Sequence, residues 1–103
     1  MSEERISTLR KLLDQRPEDP FIQYAIGIEL VNDGKDGEAS EIFDEVLLRF
    51  PDYVPTYLHA GLTFSRLEQL EKARLVLKQG AVCAEKAGDN HALSELKSAL
   101  ADL

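Results

Sequence analysis

Cysteine is nearly absent from this chain: Cys83 stands alone, so no disulfide can form within it and a reducing compartment is expected. No apolar run approaches the roughly 18 residues of a membrane helix. The opening residues Ser2, Glu3, Glu4 and Arg5 are polar or charged, so no secretory signal is read there. These absences together make the cytoplasm the expected location, with no membrane partner. Glycine is sparse as well, and the six present spell neither GxGxxG nor GxxxxGK[ST], which excludes the common phosphate loops. Only two histidines occur, His59 and His91, without companions at metal-ligand spacing, and Cys83 lacks a CxxC partner. No metal and no cofactor are therefore expected. What is present is a 103-residue chain of 44% hydrophobic content with no low-complexity segment, enough for one folded core.

The net charge of −7 is distributed unevenly. Residues 18–52 carry ten acids against Lys35 and Arg49, a balance of −8, whereas residues 53–88 carry three acids and five bases, a balance of +2. An acidic first half repels phosphates, so nucleic acid is not an expected partner. The acids read either as a solvated face or as a surface for a basic partner. They also suit a high-salt cytoplasm.

The strongest positive signal is an internal offset of 34 residues. Gly27 falls on Gly61, Ala39 on Ala73, Ile26 on Ala60, Leu30 on Phe64 and Phe43 on Leu77. Backwards, the same step takes Pro51 to Pro17, Leu47 to Leu13 and Phe43 to Leu9. A unit of this length cannot bury its apolar face alone and must stack on copies of itself.

Each copy reads as two helices and a turn. Asp19-Pro20 supplies an N-cap and a first-turn proline, whose missing amide costs nothing there. Two apolar stripes follow, Phe21, Tyr24, Ile28, Val31 and Ile22, Ile26, Leu30, so the helix is contacted on two sides. Gly27 sits mid-helix, where glycine costs about 1 kcal/mol relative to alanine. Close approach of a neighbouring helix is the expected compensation. Asn32-Asp33-Gly34-Lys35-Asp36 ends the first helix. A second runs from about Gly37 to Arg49, and Pro51 and Pro55 flank the junction to the next copy.

On these residues the chain resembles the tetratricopeptide repeat (TPR) family. The matching positions are Ile26-Gly27, Leu30, Ala39, Phe43, Val46 and Pro51, then Tyr57, Ala60-Gly61, Phe64, Ala73 and Leu77. Gln23 stands where the family prefers a large aromatic. Gly80 replaces the second small packing residue of the later copy, and Glu85 replaces its closing proline, so that helix can run on toward Ala87. The resemblance implies an all-α fold, a short right-handed α-solenoid of antiparallel helix pairs. Its concave groove is built mainly from the first helix of each pair. One domain, 1–103, divides into an N-terminal half-repeat (1–17), repeat 1 (20–53), repeat 2 (54–87) and a C-terminal capping helix (89–103).

Both ends read as caps. Ser2 can cap the first helix, with Glu3 and Glu4 in its first turn and Ile6, Leu9, Leu12 and Leu13 as its stripe. Gly88-Asp89 precedes the last helix, striped by Leu93, Leu96, Leu100 and Leu103. Lys97 takes the place held by Gly27 and Gly61, so no following helix can approach closely. Glu68 and Glu71, three apart at a helix start, fit capping better than acid/base chemistry.

The resemblance also places the groove. One TPR subclass grips the carboxylate end of heat-shock chaperones with Lys, Arg and Asn three before and one after the signature glycine. Here those places are Tyr24, Ile28, Leu58 and Leu62, so that clamp is absent. The candidate inner face is Phe21, Tyr24, Ile28, Val31, Leu58 and Leu62, edged by His59, Ser65 and Arg66. The expectation is a non-catalytic module for a protein or peptide partner, monomeric or weakly dimeric. Two alternatives stay open: the groove is buried against a second copy, or the C-terminal helix folds back and fills it. A catalytic reading would need His59 as a base.

Overall fold

The computed structural model describes the backbone of residues 2–103 and the side chains of residues 3–103; the cap expected from Ser2 lies outside the described side chains. Six helices and no strand occur among the described residues: α1 (Ser2–Gln15), α2 (Pro20–Asn32), α3 (Asp36–Arg49), α4 (Pro55–Arg66), α5 (Leu70–Ala87) and α6 (Asn90–Ala101). Each helix packs on its neighbour in sequence, and α4 also touches α2 and α6, the contacts of a stacked all-α solenoid. No helix is long and apolar enough to cross a membrane.

Capping follows the sequence at two helices. Asp19 Oδ1 accepts from the Phe21 amide at 3.0 Å, and Asp89 Oδ1 accepts from Ala92 at 3.0 Å, so each satisfies an amide that the helix itself cannot. Gly88 closes α5 in the left-handed region at φ 71°. Gly34 turns α2 into α3 at φ 75°, and the residue 34 positions on, Glu68, repeats that turn at φ 63°. Glu68 is therefore not a capping carboxylate. It occupies the left-handed turn residue, and α5 begins without any side-chain cap. Glu71 pairs instead with Arg74 at 2.8 Å. With no closing proline, α5 does run to Ala87 and is the longest of the six helices.

The mid-helix glycines are notches for side chains of the partner helix. A Cβ on Gly27 would lie 2.4 Å from the Phe43 ring, and one on Gly61 would lie 2.4 Å from Leu77 Cδ2. Phe43 and Leu77 are both fully buried, so the knob-in-notch contact is the repeated unit of the core. Gly80 differs, because its added Cβ would sit 2.4 Å from Tyr57 Cβ, where α5 and α4 come together at the backbone. Leu96 of α6 packs over the same spot, 3.0 Å from that position. Ile26, Phe64, Val46 and Leu96 complete the buried interior.

Part of the uneven charge is offset by pairing across the repeats. Arg66 holds both carboxylate oxygens of Asp36, at 2.9 and 3.0 Å, and Lys72 reaches Asp44 at 2.8 Å. Two acids of α3 thus meet two bases of repeat 2, although these exposed pairs contribute at most about 1 kcal/mol each. Gln23, in the place preferred for a large aromatic, is buried and donates its amide to Glu45. Tyr57, the aromatic at the equivalent place, donates its hydroxyl to the Pro51 carbonyl and ties down the junction between repeats.

Candidate functional site: the inner cleft

Helical spacing puts Tyr24, Ile28 and Val31 on one side of α2, and Leu58 and Leu62 one turn apart on α4. Ile28, Val31 and Leu58 are half-buried against the core, while Leu62 retains 39% of its surface. Stacking of α4 on α2 brings Tyr24 to His59, with ring centres 5.6 Å apart and edge-on. Tyr53, in the connection between α3 and α4, meets Tyr24 from another side at 5.7 Å, also edge-on. Beneath lies Phe43 at 6.4 Å. Tyr24 is thus the hub of an aromatic cluster that runs from the core to the surface, in arrangements that ring quadrupoles favour.

α6 supplies the remaining wall. It packs on α4 and α5 without contacting α2, lying beside α4 and leaving a cleft of about 260 Å³ open between them. Tyr24, Leu58 and His59 face Ala92, Glu95 and Leu96 across it, with Asp89 and His91 at the mouth. Burial lowers the His59 pKa; the Glu95 carboxylate opposes that and the Arg66 guanidinium adds to it. Burial raises the phenols of Tyr24 and Tyr53, reinforced by Tyr53 for the former and by Asp19 for the latter. The tyrosines are therefore protonated and His59 neutral at neutral pH.

Not all of the expected inner-face residues converge. Phe21 touches the Tyr24 ring at 6.3 Å but is 55% exposed and lines the crevice between α1 and α2, opposite Arg5 and Thr8. Arg66 lies beyond the cleft, committed to Asp36, with a further bond to Thr63 Oγ1 at 3.2 Å. Six of these participants were not expected: Tyr53, Asp89, His91, Ala92, Glu95 and Leu96. Tyr53 precedes a helix and carries no periodic signal. The other five lie on or cap α6, whose apolar stripe was legible but whose placement beside α4 was not. No serine, threonine or cysteine lines the cleft with His59 among the described residues. No group of acids, histidines or cysteines able to hold a metal occurs among them either.

The fold and its register decide the family. A crystal structure of a tetratricopeptide repeat domain protein from Salinibacter ruber is 35% identical over 82% of this chain and 94% of that one, with a TM-score of 0.79. The chain belongs to the tetratricopeptide repeat family. A solution NMR structure of a TPR domain protein from the same organism agrees, at 36% identity, 84% and 87% coverage and a TM-score of 0.78. No family model and no curated protein matches the chain. Its fold is that of a protein–protein interaction module in general.

Proposed function

We propose that this TPR domain is a non-catalytic cytoplasmic adaptor that binds a partner peptide or helix along its inner face. The cleft formed by Tyr24, Leu58 and His59 carries the proposal: apolar and aromatic surface stays open between α2, α4 and α6 instead of being packed away. Ile28 and Val31 on α2 and Leu62 on α4 extend that surface, Phe21 ends it toward α1, and Arg66 borders it at the far end of α4. An exposed apolar strip with a polar rim is the usual mark of an interaction site. None of Tyr24, Ile28, Leu58 and Leu62 is cationic, so a chaperone carboxylate tail is not the ligand.

The test is to isolate a partner by affinity capture and measure its binding by calorimetry. Tyr24→Ala and Leu62→Ala are expected to weaken it by about 1–3 kcal/mol each. Glu41→Lys, on the exposed side of α3, is expected to leave it unchanged. Thermal melts separate lost binding from lost fold. Normal affinity in both groove variants, with loss only in Glu41→Lys, overturns the proposal.

A further inference from the structure

The cleft's own charges narrow what the bound segment must bring. Its volume of about 260 Å³ lies below the range of a drug-sized ligand pocket and suits one long side chain. Leu58, Ala92 and Leu96 form an apolar floor. Two carboxylates stand over it, Asp89 and Glu95, and no lysine or arginine is among the described lining residues. His59 does not offset these charges, because burial disfavours its imidazolium. His91 Nε2 lies 3.3 Å from Glu95 Oε1, with its side chain 87% exposed to water. Arg66, outside the lining, is neutralised by both oxygens of Asp36. Tyr24 also lines the cleft, and a phenol ring attracts a cation placed over its face. An incoming carboxylate would meet two like charges and no donor cation.

Resting on the groove reading above, we infer that the space between α2, α4 and α6 receives a lysine or arginine side chain of the bound peptide. The methylene stem lies on Leu58 and Leu96, as long basic side chains bury their stems while their charge stays near water. The charged head sits between the Tyr24 ring and the carboxylates of Glu95 and Asp89. Ile28 and Leu62, further along the same helices, contact the apolar neighbours of that residue. Specificity thus comes from an acid-and-ring pocket at one end of an otherwise apolar strip.

Three capped dipeptides test this by NMR titration of the labelled full chain: acetyl-leucyl-lysine amide, acetyl-leucyl-norleucine amide and acetyl-leucyl-glutamate amide. The lysine probe is expected to shift the amides of Tyr24, Leu58, His59 and Glu95. It should bind about fivefold more tightly than the norleucine probe, the scale of one partly exposed charge contact. The glutamate probe should bind most weakly. Glu95→Gln should reduce the preference for lysine over norleucine, the Asp89 carboxylate and the Tyr24 ring remaining, and added salt should shrink that preference. Equal binding of lysine and norleucine at the cleft overturns the cation pocket and leaves the groove standing. Tightest binding by the glutamate probe overturns it as well, and no response at the cleft to any probe overturns both.

Discussion

Replacing Gly80 with alanine tests the packing that holds the cleft's walls together. The new Cβ would lie 2.4 Å from Tyr57 Cβ, 2.9 Å from Tyr57 Cγ and 3.0 Å from Leu96 Cδ2. Carbon atoms pack comfortably at about 3.5–4.0 Å, so α5 must back away from α4 by about 1 Å. Neither neighbour can yield cheaply: Tyr57 is anchored by its hydroxyl to Pro51, and Leu96 is fully buried. Overpacking of this kind costs about 1–3 kcal/mol or more. Against it stands the gain in helix propensity, about 1 kcal/mol. Contacts this short put the cost in the upper part of that range, so a net loss of about 1–2 kcal/mol is expected, at about 4–8 °C in Tm for each kcal/mol in a domain of this size. Gly37 is the control, because it is also helical but a Cβ there meets nothing within 4 Å. Gly37→Ala should therefore raise stability, by up to about 1 kcal/mol. Urea and thermal unfolding followed by circular dichroism measure both. A Gly80→Ala protein as stable as the parent, or two variants shifting in the same direction, would refute the close approach of α4 and α5. Gly27→Leu and Gly61→Leu, which load the Phe43 and Leu77 notches, should lose more than 1 kcal/mol each.

Glu68→Gly should stabilise the domain by about 1 kcal/mol, since it relieves a side chain at φ 63°; a lower melt would show that the Glu68 side chain matters more than its backbone. His59 titrates below its ordinary value in the folded chain, so the unfolded chain takes up the proton first. Stability is therefore expected to fall as pH drops from about 6.5 toward the lower folded pKa, with no contribution above that window. A His59→Gln protein should show a shallower dependence, and an unchanged one would contradict the burial of His59. Removing Asp89–Leu103 uncovers the surface around Gly80 and Tyr57 on which Leu96 packs, and should cause aggregation or loss of helicity; a monomeric truncation with an unchanged melt would show α6 to be dispensable.

Much of this fold is legible in the chain because a repeat states each instruction twice. The caps at Asp19 and Asp89 and the notches at Gly27 and Gly61 could all be read from local chemistry. What fills a notch was less accessible: spacing called for a nearby helix, whereas the contacts are made by the side chains of Phe43 and Leu77. Glu68 misled because a carboxylate beside a helix start resembles a cap, while its 34-residue counterpart, Gly34, marked it as the turn. The site was half legible. Tyr24, Leu58 and Leu62 followed from helical periodicity, but Tyr53 reaches Tyr24 only through the stacking of one repeat on the next. Glu95 joins the cleft only because α6 takes its place beside α4, and no local pattern encodes that placement.

The cleft draws one wall from α6, which among the described helices is held by α4 and α5 alone. Local opening of a helix is an equilibrium with its own free energy, set by the contacts that hold it. Opening of α6 would remove Ala92, Glu95 and Leu96 from the site and leave the α2 and α4 walls in place. Apparent affinity therefore equals the intrinsic affinity scaled by the fraction of molecules with α6 docked. Substitutions on the α5 side of that contact, far from any bound residue, tune binding through this population alone.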